Sequence, residues 1–528
     1  MSRHDRNPIR GALTREDACR LSATYTPTVT TAHHAPIPVK MFAREDVPVE
    51  PAGLEQVRAL LGVQDTAAET WQAQQAGQTR APMWGDTPGS VERAVLTPDF
   101  HKGATIPVGT VLRTRGMVLP QAVGGDIGCG MRLIVTDLDR EALVGHEAAL
   151  MRRLREVFFG GQRDLPMSPR QREALLRDGL IGLRETCGDN AGVGLWRWYD
   201  PDAQEAALDH THGLGRLPTR GVLSVFEDYV ESSGRRDGRD AQIGSVGGGN
   251  HFVELQAIDA LEDGELAWSW GLRPNKVAIM VHSGSAGFGG LVGRVFEEAA
   301  RALHPPELRH PAHGFWALPT TGPHAELAAR YLSALGNAAN FAFGNRLFLG
   351  LMAVRAIEET LGRPVHHHHV HDVPHNLLWA DGPDAFIHRK GACPAPGPTL
   401  DHHDPYAYTG APVIIPGSMG APSYLLSGLG SDEALGSACH GAGRALSRNA
   451  ARATSPKTQP HPLHIVTPID PTAPHVRSRP DLLSAYHQRV TEERPDAYKP
   501  ITPIIHTITD AQIARSTARL VPVMTVKG

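Results

Sequence analysis

Cysteine is scarce in this 528-residue chain: the five present, Cys19, Cys129, Cys187, Cys393 and Cys439, are scattered and form no Cys-x-x-Cys pair. An odd, sparse set of this kind excludes a disulfide framework and reads as the reduced thiols of a cytoplasmic protein. No uninterrupted apolar run reaches the length of a membrane span, and Met1 to Arg10 is polar, without the apolar core of a signal peptide. Surplus positive charge is missing too: 52 Lys and Arg against 56 Asp and Glu give a net charge of -4. The chain is not a polycation, so any grip on nucleic acid must come from local basic patches. What is abundant is histidine, with 28 residues. Histidine is the commonest metal ligand and the usual acid–base group near neutral pH. With 41% hydrophobic and 20% charged residues, the remainder is that of a soluble globular protein with a sizeable core.

The pattern changes several times along the chain. Residues 1–34 are polar and rich in Thr and Arg, and are expected to form a flexible N-terminal arm. From Ala35, "APIPVKMF" reads as a short strand, and "GLEQVRALLGV" (Gly53 to Val63) as an amphipathic helix; residues 66–90 read as helix or linker. Between Val91 and Leu138 short apolar runs alternate with Gly and Pro, which predicts strands joined by tight turns. Residues 140–240 are helical in pattern and include a charged loop, Ser232 to Gln242. Strand patterns return at "HFVELQAI" and "KVAIMVHSGS". A long apolar helical stretch follows, Glu326 to Gly362, in which Gly336 and Gly344 either break the helix or admit a close neighbour. A histidine tract, Pro/Gly-rich loops, a Pro/His-rich segment near 455–480 and a final strand complete the chain, with no internal repeat. Residues 35–528 read as one intertwined α/β unit with insertions near 140–240 and 455–480.

Five clusters carry residues suited to chemistry. In "GGDIGCGMR", Asp126 and Cys129 sit among glycines that let a carboxylate and a thiolate turn into one small space. The pair suits a divalent cation, with the sulfur able to bridge two ions; a tight turn with a buried small cysteine fits the same residues. In "GSVGGGNHFVEL" the glycine run can cradle a phosphate, and strand alternation puts His251 with Val253 on one face and Asn250, Phe252 and Glu254 on the other. His282 ends an apolar strand before a run of small residues, as a ligand or as a satisfied core histidine. The tract His366 to His369 with His371 resembles a metal sponge, yet such runs usually form solvated loops, and His375 beside Asn376 at a loop exit is the better ligand. In "SACHGAGRALSR", His440 precedes a Gly-Ala-Gly turn, and Arg444 and Arg448 recur four apart on an expected helix face. Arginine forks match phosphoryl oxygens, so a nucleophilic or phosphate-contacting histidine there is chemically sensible; a helix N-terminus with surface arginines is the plainer alternative. Asp, Cys and His ligation of two ions would leave positions for phosphate oxygens, as phosphoryl or nucleotidyl transfer requires.

Taken in order, "PDFHKG", "VGGDIGCGMR", "GGGNHFVE", "VHSGSAGFG", "HRKGA", "IPGSMGAPSY", "SACHGAGRALSR", "AYKP" and the terminal "VKG" resemble the RtcB family of RNA-splicing ligases, over about Ala35 to Gly528. The resemblance implies a mixed α/β (α+β) fold: a single large catalytic domain with central β-sheets around a buried dinuclear metal site. It implies that Asp126, Cys129 and His251 bind one Mn2+ and that Cys129, His282 and His375 bind a second, the thiolate bridging. His440 would attack the α-phosphorus of GTP with Asp99 orienting it, while Asn250, Phe252, Glu254, Ser418, Ser423 and Lys527 hold the guanylate. The guanylate would pass to an RNA 3′-phosphate, any 2′,3′-cyclic phosphate being opened first, and a 5′-hydroxyl end would then displace GMP. An archease-like activator is expected as a partner; monomer is the default state, and the composition places the enzyme in the cytoplasm, away from membranes.

One position departs from the family pattern. Where "HSGSRG" carries an arginine implied to grip the RNA 3′-phosphate, this chain has Ala286. Losing a charged hydrogen bond of that kind costs about 1.5–3 kcal/mol. Arg444 and Arg448 become the expected 3′-phosphate contacts. The alternative is a divergent guanylyltransferase that caps or repairs RNA 3′ ends and joins them weakly.

Overall fold

The long apolar stretch folds as a single unbroken helix, Ala325–Leu361, of 37 residues. Its internal glycines admit neighbours and do not interrupt it. A Cβ at Gly336 would lie 2.7 Å from the Pro218 carbonyl oxygen, and one at Gly344 would lie 2.8 Å from a Leu175 methyl carbon. The computed structural model describes residues 28–29, 37–231, 242–401, 403–454 and 463–528. The expected N-terminal arm therefore lies outside the described residues except for Thr28–Val29, which pair antiparallel with Pro38 and Ile37. Nearly all of the charged 232–242 stretch and the start of the 455–480 segment lie outside them as well.

The architecture is mixed α/β, built on two large sheets. The first runs from edge to edge as His367–Pro374, Gly130–Asp139, Lys276–Ser283, Phe252–Leu261, Ala514–Val526, Ser423–Gly428 and Pro412–Ile415, all antiparallel, with His464–Val466 added in parallel to Ala514–Val526. The second, six-stranded, contains Ser90–His101, Val108–Arg115, Ala385–Lys390 and Asn376–Ala380, and places Ile37–Met41 parallel to Ser90–His101. The histidine tract is thus not a solvated loop. It is the edge strand of the larger sheet, paired with Gly130–Asp139 through a bulge between His369 and His371. The backbone groups of a buried strand require a partner, and the tract supplies it.

Alternation along the strands divides the core. Ile134, Val253, Leu255, Val277, Ile279 and Val281 pack with the long helix, whereas Met131, Leu133, Val135, Phe252, Ala278 and Met280 face a separate cluster. A third cluster fills the space between the six-stranded sheet and the helices Pro51–Leu61 and Ile501–Asp510.

One buried charge network crosses these layers. Arg346, from the middle of the long helix and fully buried, donates from Nε to Asp372 Oδ1 at 2.8 Å. Its Nη1 donates to the carbonyls of Gly128 at 2.6 Å and Ser283 at 3.1 Å. Arg132 approaches the other Asp372 oxygen at 3.3 Å. Removing one member of such a pair leaves an uncompensated buried charge, at about 3–5 kcal/mol. Asp372→Asn is therefore expected to lower the chemical-denaturation midpoint by an amount of that order; an unchanged midpoint would show that the network does not constrain the fold.

Candidate active site

Strand register collects the histidines and the cysteine at one end of the larger sheet. Cys129 immediately precedes Gly130–Asp139, His251 precedes Phe252–Leu261, His282 is the next-to-last residue of Lys276–Ser283, and His375 links His367–Pro374 to Asn376–Ala380. The pairs Met131↔His282, Phe252↔His282 and Gly130↔Pro374 hold these ends level. Cys129 Sγ lies 3.1 Å from His251 Nε2 and 3.3 Å from His282 Nε2. His251 Nε2 is 3.0 Å from Asp126 Oδ2, and the Nε2 atoms of His282 and His375 are 3.2 Å apart. The donor atoms of Cys129, His251 and His282 all fall within 4.8 Å of one another. The loop that delivers Cys129 needs glycine at 128: its φ is +72°, and a Cβ there would lie 2.9 Å from both Ala339 Cα and Ala342 Cβ on the long helix.

The donor set fits a metal. One thiol, three imidazoles and a carboxylate with converging atoms suit a borderline transition ion better than Ca2+ or Mg2+. The Nδ1 of buried His375 has no hydrogen-bond partner among the described residues. Burial holds His282 and His375 well below the usual histidine range, so both are neutral, as ligands must be. Burial opposes ionisation of Asp126, yet the neighbouring His251 and Lys390 outweigh it and keep the carboxyl below its ordinary range. Burial, reinforced by the Asp126 charge, pushes the Cys129 thiol well up.

His440 stands beside this cluster, with its ring centroid 4.5 Å from that of His375 and 6.3 Å from that of His282. It follows the short strand Ser437–Cys439 and reaches across to Asp99 in Ser90–His101. Its Nδ1 lies 2.7 Å from Asp99 Oδ2, and its backbone N–H donates to the same oxygen at 3.3 Å. Thr97 donates to Asp99 Oδ1 at 2.5 Å. Burial raises the Asp99 pKa, but the hydrogen bond and charge of His440 overcome it and leave the carboxyl below its usual range. A carboxylate accepting the Nδ1 proton fixes the tautomer and leaves the Nε2 lone pair available. Lys499 secures the segment by donating to the carbonyls of Pro98 at 3.1 Å and Phe100 at 2.6 Å.

A cavity of about 260 Å³ opens over His282 and His440. Asn250, Phe252, Glu254, Ser418, Lys527, Arg444 and Arg448 all line it. Asp99, Asp126, Cys129, His251 and His375 do not form its wall. Ser423 also stays behind the wall, accepting from Gln256 Nε2 at 2.9 Å and from the Gly417 backbone at 3.1 Å. Glu254 is bonded to Thr525 and to Gln256 Nε2, and burial pushes its carboxyl up to about 6.

The arginines do not share a helix face. The helix begins only at Arg448, capped by Ser447, while Arg444 forms an isolated bridge with Tyr498. The glycine turn after His440 and this bridge keep the chain extended until the serine cap starts the helix. Arg444 spends its donors on Glu493, the Tyr498 hydroxyl and the carbonyls of Glu492 and Leu446. Arg448, 3.5 Å from Glu493 with its side chain 48% exposed, is the freer cation. Glu493 thus sits among Arg444, Arg448 and Lys527, the last 3.8 Å away. Glu493, Tyr498 and Lys499 escaped sequence reasoning; "AYKP" marked the last two as a motif without a role, and nothing marked Glu493.

Because the Cys129 thiol is held protonated and ligation requires the thiolate, metal uptake should release a proton. Calorimetry of Mn2+ binding in buffers of different ionisation enthalpy is expected to read that release, with affinity rising as pH rises. Cys129→Ala should weaken binding at least ~10-fold and abolish the proton, whereas an unchanged isotherm would remove Cys129 from the ligand set.

A family model described as tRNA-splicing ligase RtcB matches residues 83–528. The RNA-splicing ligases RtcB of Mycobacterium bovis and Mycobacterium tuberculosis are each 33% identical to this chain over 475 residues, covering 84% of it and 98% of their own length. The tRNA-splicing ligase RtcB of Thermococcus kodakarensis is 32% identical over 463 residues, covering 84% of this chain and 89% of its own. With the buried Cys/His cluster and the Asp99–His440 pair in the positions that the motifs mark, the chain belongs to the RtcB family of RNA ligases.

Proposed function

We propose that this protein joins RNA 3′-phosphate or 2′,3′-cyclic phosphate ends to 5′-hydroxyl ends, using GTP and Mn2+, through a guanylate carried on His440. The observation that supports this most is the pose of His440: Nδ1 is bound to buried Asp99, which leaves Nε2 as the nucleophile on a ring that lines the cavity. Nε2 attacks the α-phosphorus of GTP, an N–P bond forms, the bond to the β-phosphate oxygen breaks and pyrophosphate leaves. The Nδ1 proton stays between His440 and Asp99, whose negative charge offsets the imidazolium character of the adduct. An oxygen of the RNA 3′-phosphate then displaces His440 at phosphorus, and the 5′-hydroxyl finally displaces GMP with loss of its proton. Asp126, Cys129, His251, His282 and His375 would hold two Mn2+, which supply charge neutralisation at the phosphates.

The cavity wall fits the remaining tasks. Asn250, Phe252, Glu254, Ser418 and Lys527 would hold the guanosine and its phosphate, with Ser423 supporting them from behind. Arg448 would meet the RNA 3′-phosphate, with Arg444 fixing the loop beside it. An archease-like activator, a monomeric state and a cytoplasmic RNA substrate belong to the same proposal. No helix among the described residues is long and apolar enough to cross a membrane. Incubation with labelled GTP and Mn2+ should give an acid-labile, alkali-stable protein adduct. An unlabelled wild type, or equal labelling of His440→Ala, would sink the proposal.

Ala286 favours a second reading. It caps the helix Gly287–Ala302 with φ +51° and offers only a methyl group where the family pattern has a phosphate-binding arginine. An enzyme so built would guanylylate itself and cap 3′-phosphate ends while joining them weakly. Offering a 3′-phosphate RNA together with a 5′-hydroxyl RNA separates the two readings. Efficient joining by wild type rejects the second. Accumulated capped RNA, with joining restored at least ~10-fold by Ala286→Arg, establishes it.

A further inference from the structure

The joining step leaves one proton without an acceptor: the 5′-hydroxyl loses it while displacing GMP from the capped RNA end. His101 is placed to take it. It closes the strand Ser90–His101, two residues after Asp99, and pairs with Val108. Both His101 and Val108 line the cavity over His440. His101 Nδ1 lies 2.8 Å from the Asp99 carbonyl oxygen. A carbonyl only accepts, so Nδ1 carries the hydrogen and Nε2 the lone pair. Nε2 has no partner among the described residues, and it is not one of the unpartnered atoms sealed from solvent. His101 is only 9% exposed, and the cavity is the space on which it opens.

The other carboxylates and imidazoles of the wall are occupied. Glu254 is bonded to Thr525 and to Gln256 Nε2, and Glu493 sits among Arg444, Arg448 and Lys527. His282 belongs to the cluster around Cys129. His440 holds the guanylate phosphorus before it passes to the RNA, so it lies on the leaving-group side. In an in-line displacement the attacking oxygen enters opposite that side. His101 is the imidazole of the wall that remains.

Its basicity suits a late proton transfer. Burial lowers the His101 pKa, the Asp99 carbonyl and charge oppose that, and Lys499 and His440 add to it, leaving the group at about 4. The imidazole is therefore neutral at pH 7. An aspartate, of ordinary pKa about 3.9, accepts the substrate hydroxyl proton in protein kinases. In a loose transition state the O–H bond breaks late, once bonding to phosphorus has made the oxygen acidic. A weak base held in place is then sufficient.

The wall beside His101 also fits the strand that brings the hydroxyl. Lys102 lines the cavity, is exposed and has no carboxylate partner among the described residues. Arg444, Arg448 and Lys527, by contrast, all face Glu493. The Lys102 backbone is anchored: its N–H donates to Glu50 Oε2 at 2.8 Å, and Gly103 exchanges bonds with the Gln56 amide at 3.0 and 2.9 Å. The ammonium is thus free while the chain that carries it is fixed. Building on the joining reading above, we propose that His101 Nε2 is the base that takes the proton of the 5′-hydroxyl, with Lys102 meeting the first backbone phosphate of that strand. The 5′ oxygen bonds to the RNA 3′ phosphorus, and the bond from that phosphorus to the GMP oxygen breaks with its electron pair, releasing GMP. His101 becomes an imidazolium, steadied by Nδ1–H on the Asp99 carbonyl, and passes its proton to water.

A single-turnover assay isolates this step, with full-length protein, Mn2+, RNA already capped as 3′-pp-5′-G and a 5′-hydroxyl RNA. His101→Asn keeps a donor for the Asp99 carbonyl and removes Nε2. It should slow joining about 100-fold, while His440 is still labelled by GTP. At pH 8.5 about half of a 5′-thiol end is already thiolate, by the value for free cysteine, and needs no base. With a 5′-thiol RNA the variant should therefore join as fast as wild type. Lys102→Ala should reduce the slope of log affinity for the 5′-hydroxyl RNA against log salt by about 0.7. Equal joining of 5′-hydroxyl RNA by His101→Asn and wild type, or the same deficit with the thiol end, overturns the base. So does loss of the GTP adduct together with joining, which would make His101 a support for Asp99. An unchanged salt slope removes Lys102 from the proposal. A wild type that joins neither kind of end to capped RNA overturns the joining reading itself, and this role with it.

Discussion

The guanidinium of Arg346 holds the rest of the molecule in register. It rises from the centre of a helix buried along most of its length and reaches Asp372 on the edge strand, Gly128 in the glycine loop and Ser283 at the end of a third strand. Each contact lies within three residues of a member of the Cys/His cluster: Gly128 precedes Cys129, Ser283 follows His282, and Asp372 is three residues before His375. A single buried charge therefore sets the spacing of three donor atoms drawn from segments far apart in the chain. Its planar fork makes this possible, since lysine would offer a point charge without the directional donors. The same Asp372 also faces Arg132 on the neighbouring strand, so its two carboxylate oxygens answer two buried guanidinium groups.

Electrostatics around His440 follows from depth more than from net charge. The chain is slightly acidic overall, and the cavity still concentrates Arg444, Arg448 and Lys527. Glu493 offsets part of that charge and ties down Arg444, so the exposed Arg448 is the cation best placed to meet a phosphate. Beneath them Asp99 is completely buried and kept ionised by His440 and Thr97. Such an arrangement stabilises positive charge on the imidazole, as the proposed attack by Nε2 requires.

Glycine explains why these loops can carry so many functional groups. At position 128 a side chain would collide with the long helix, and at position 443, where φ is +73°, a Cβ would meet the Asp99 backbone. Tight packing against Asp99 and against the helix is what brings a carboxylate, a thiol and four histidine rings within reach of one another.

The sequence alone was enough to place the chain in its family, because the motifs are contiguous segments whose order survives in one dimension. It also showed the long helix and the strands on either side of the glycine loops, since apolar periodicity is a local property. His375 stood out as a loop-exit histidine beside Asn376, and it does join two strands. Other features were decided by packing. The histidine tract reads as a solvated loop, yet it becomes an edge strand because Gly130–Asp139 requires a partner for its backbone. Arg444 and Arg448 read as one helix face, yet the bridge to Tyr498 and the Ser447 cap place them on different elements. Glu493, the anion among three cations, carries no local signal at all, because its importance lies in contacts to residues up to 49 positions away in sequence. Periodicity and motif order are written residue by residue, whereas ion pairing and the closing of an edge depend on which distant segments become neighbours. Only the tertiary structure settles that.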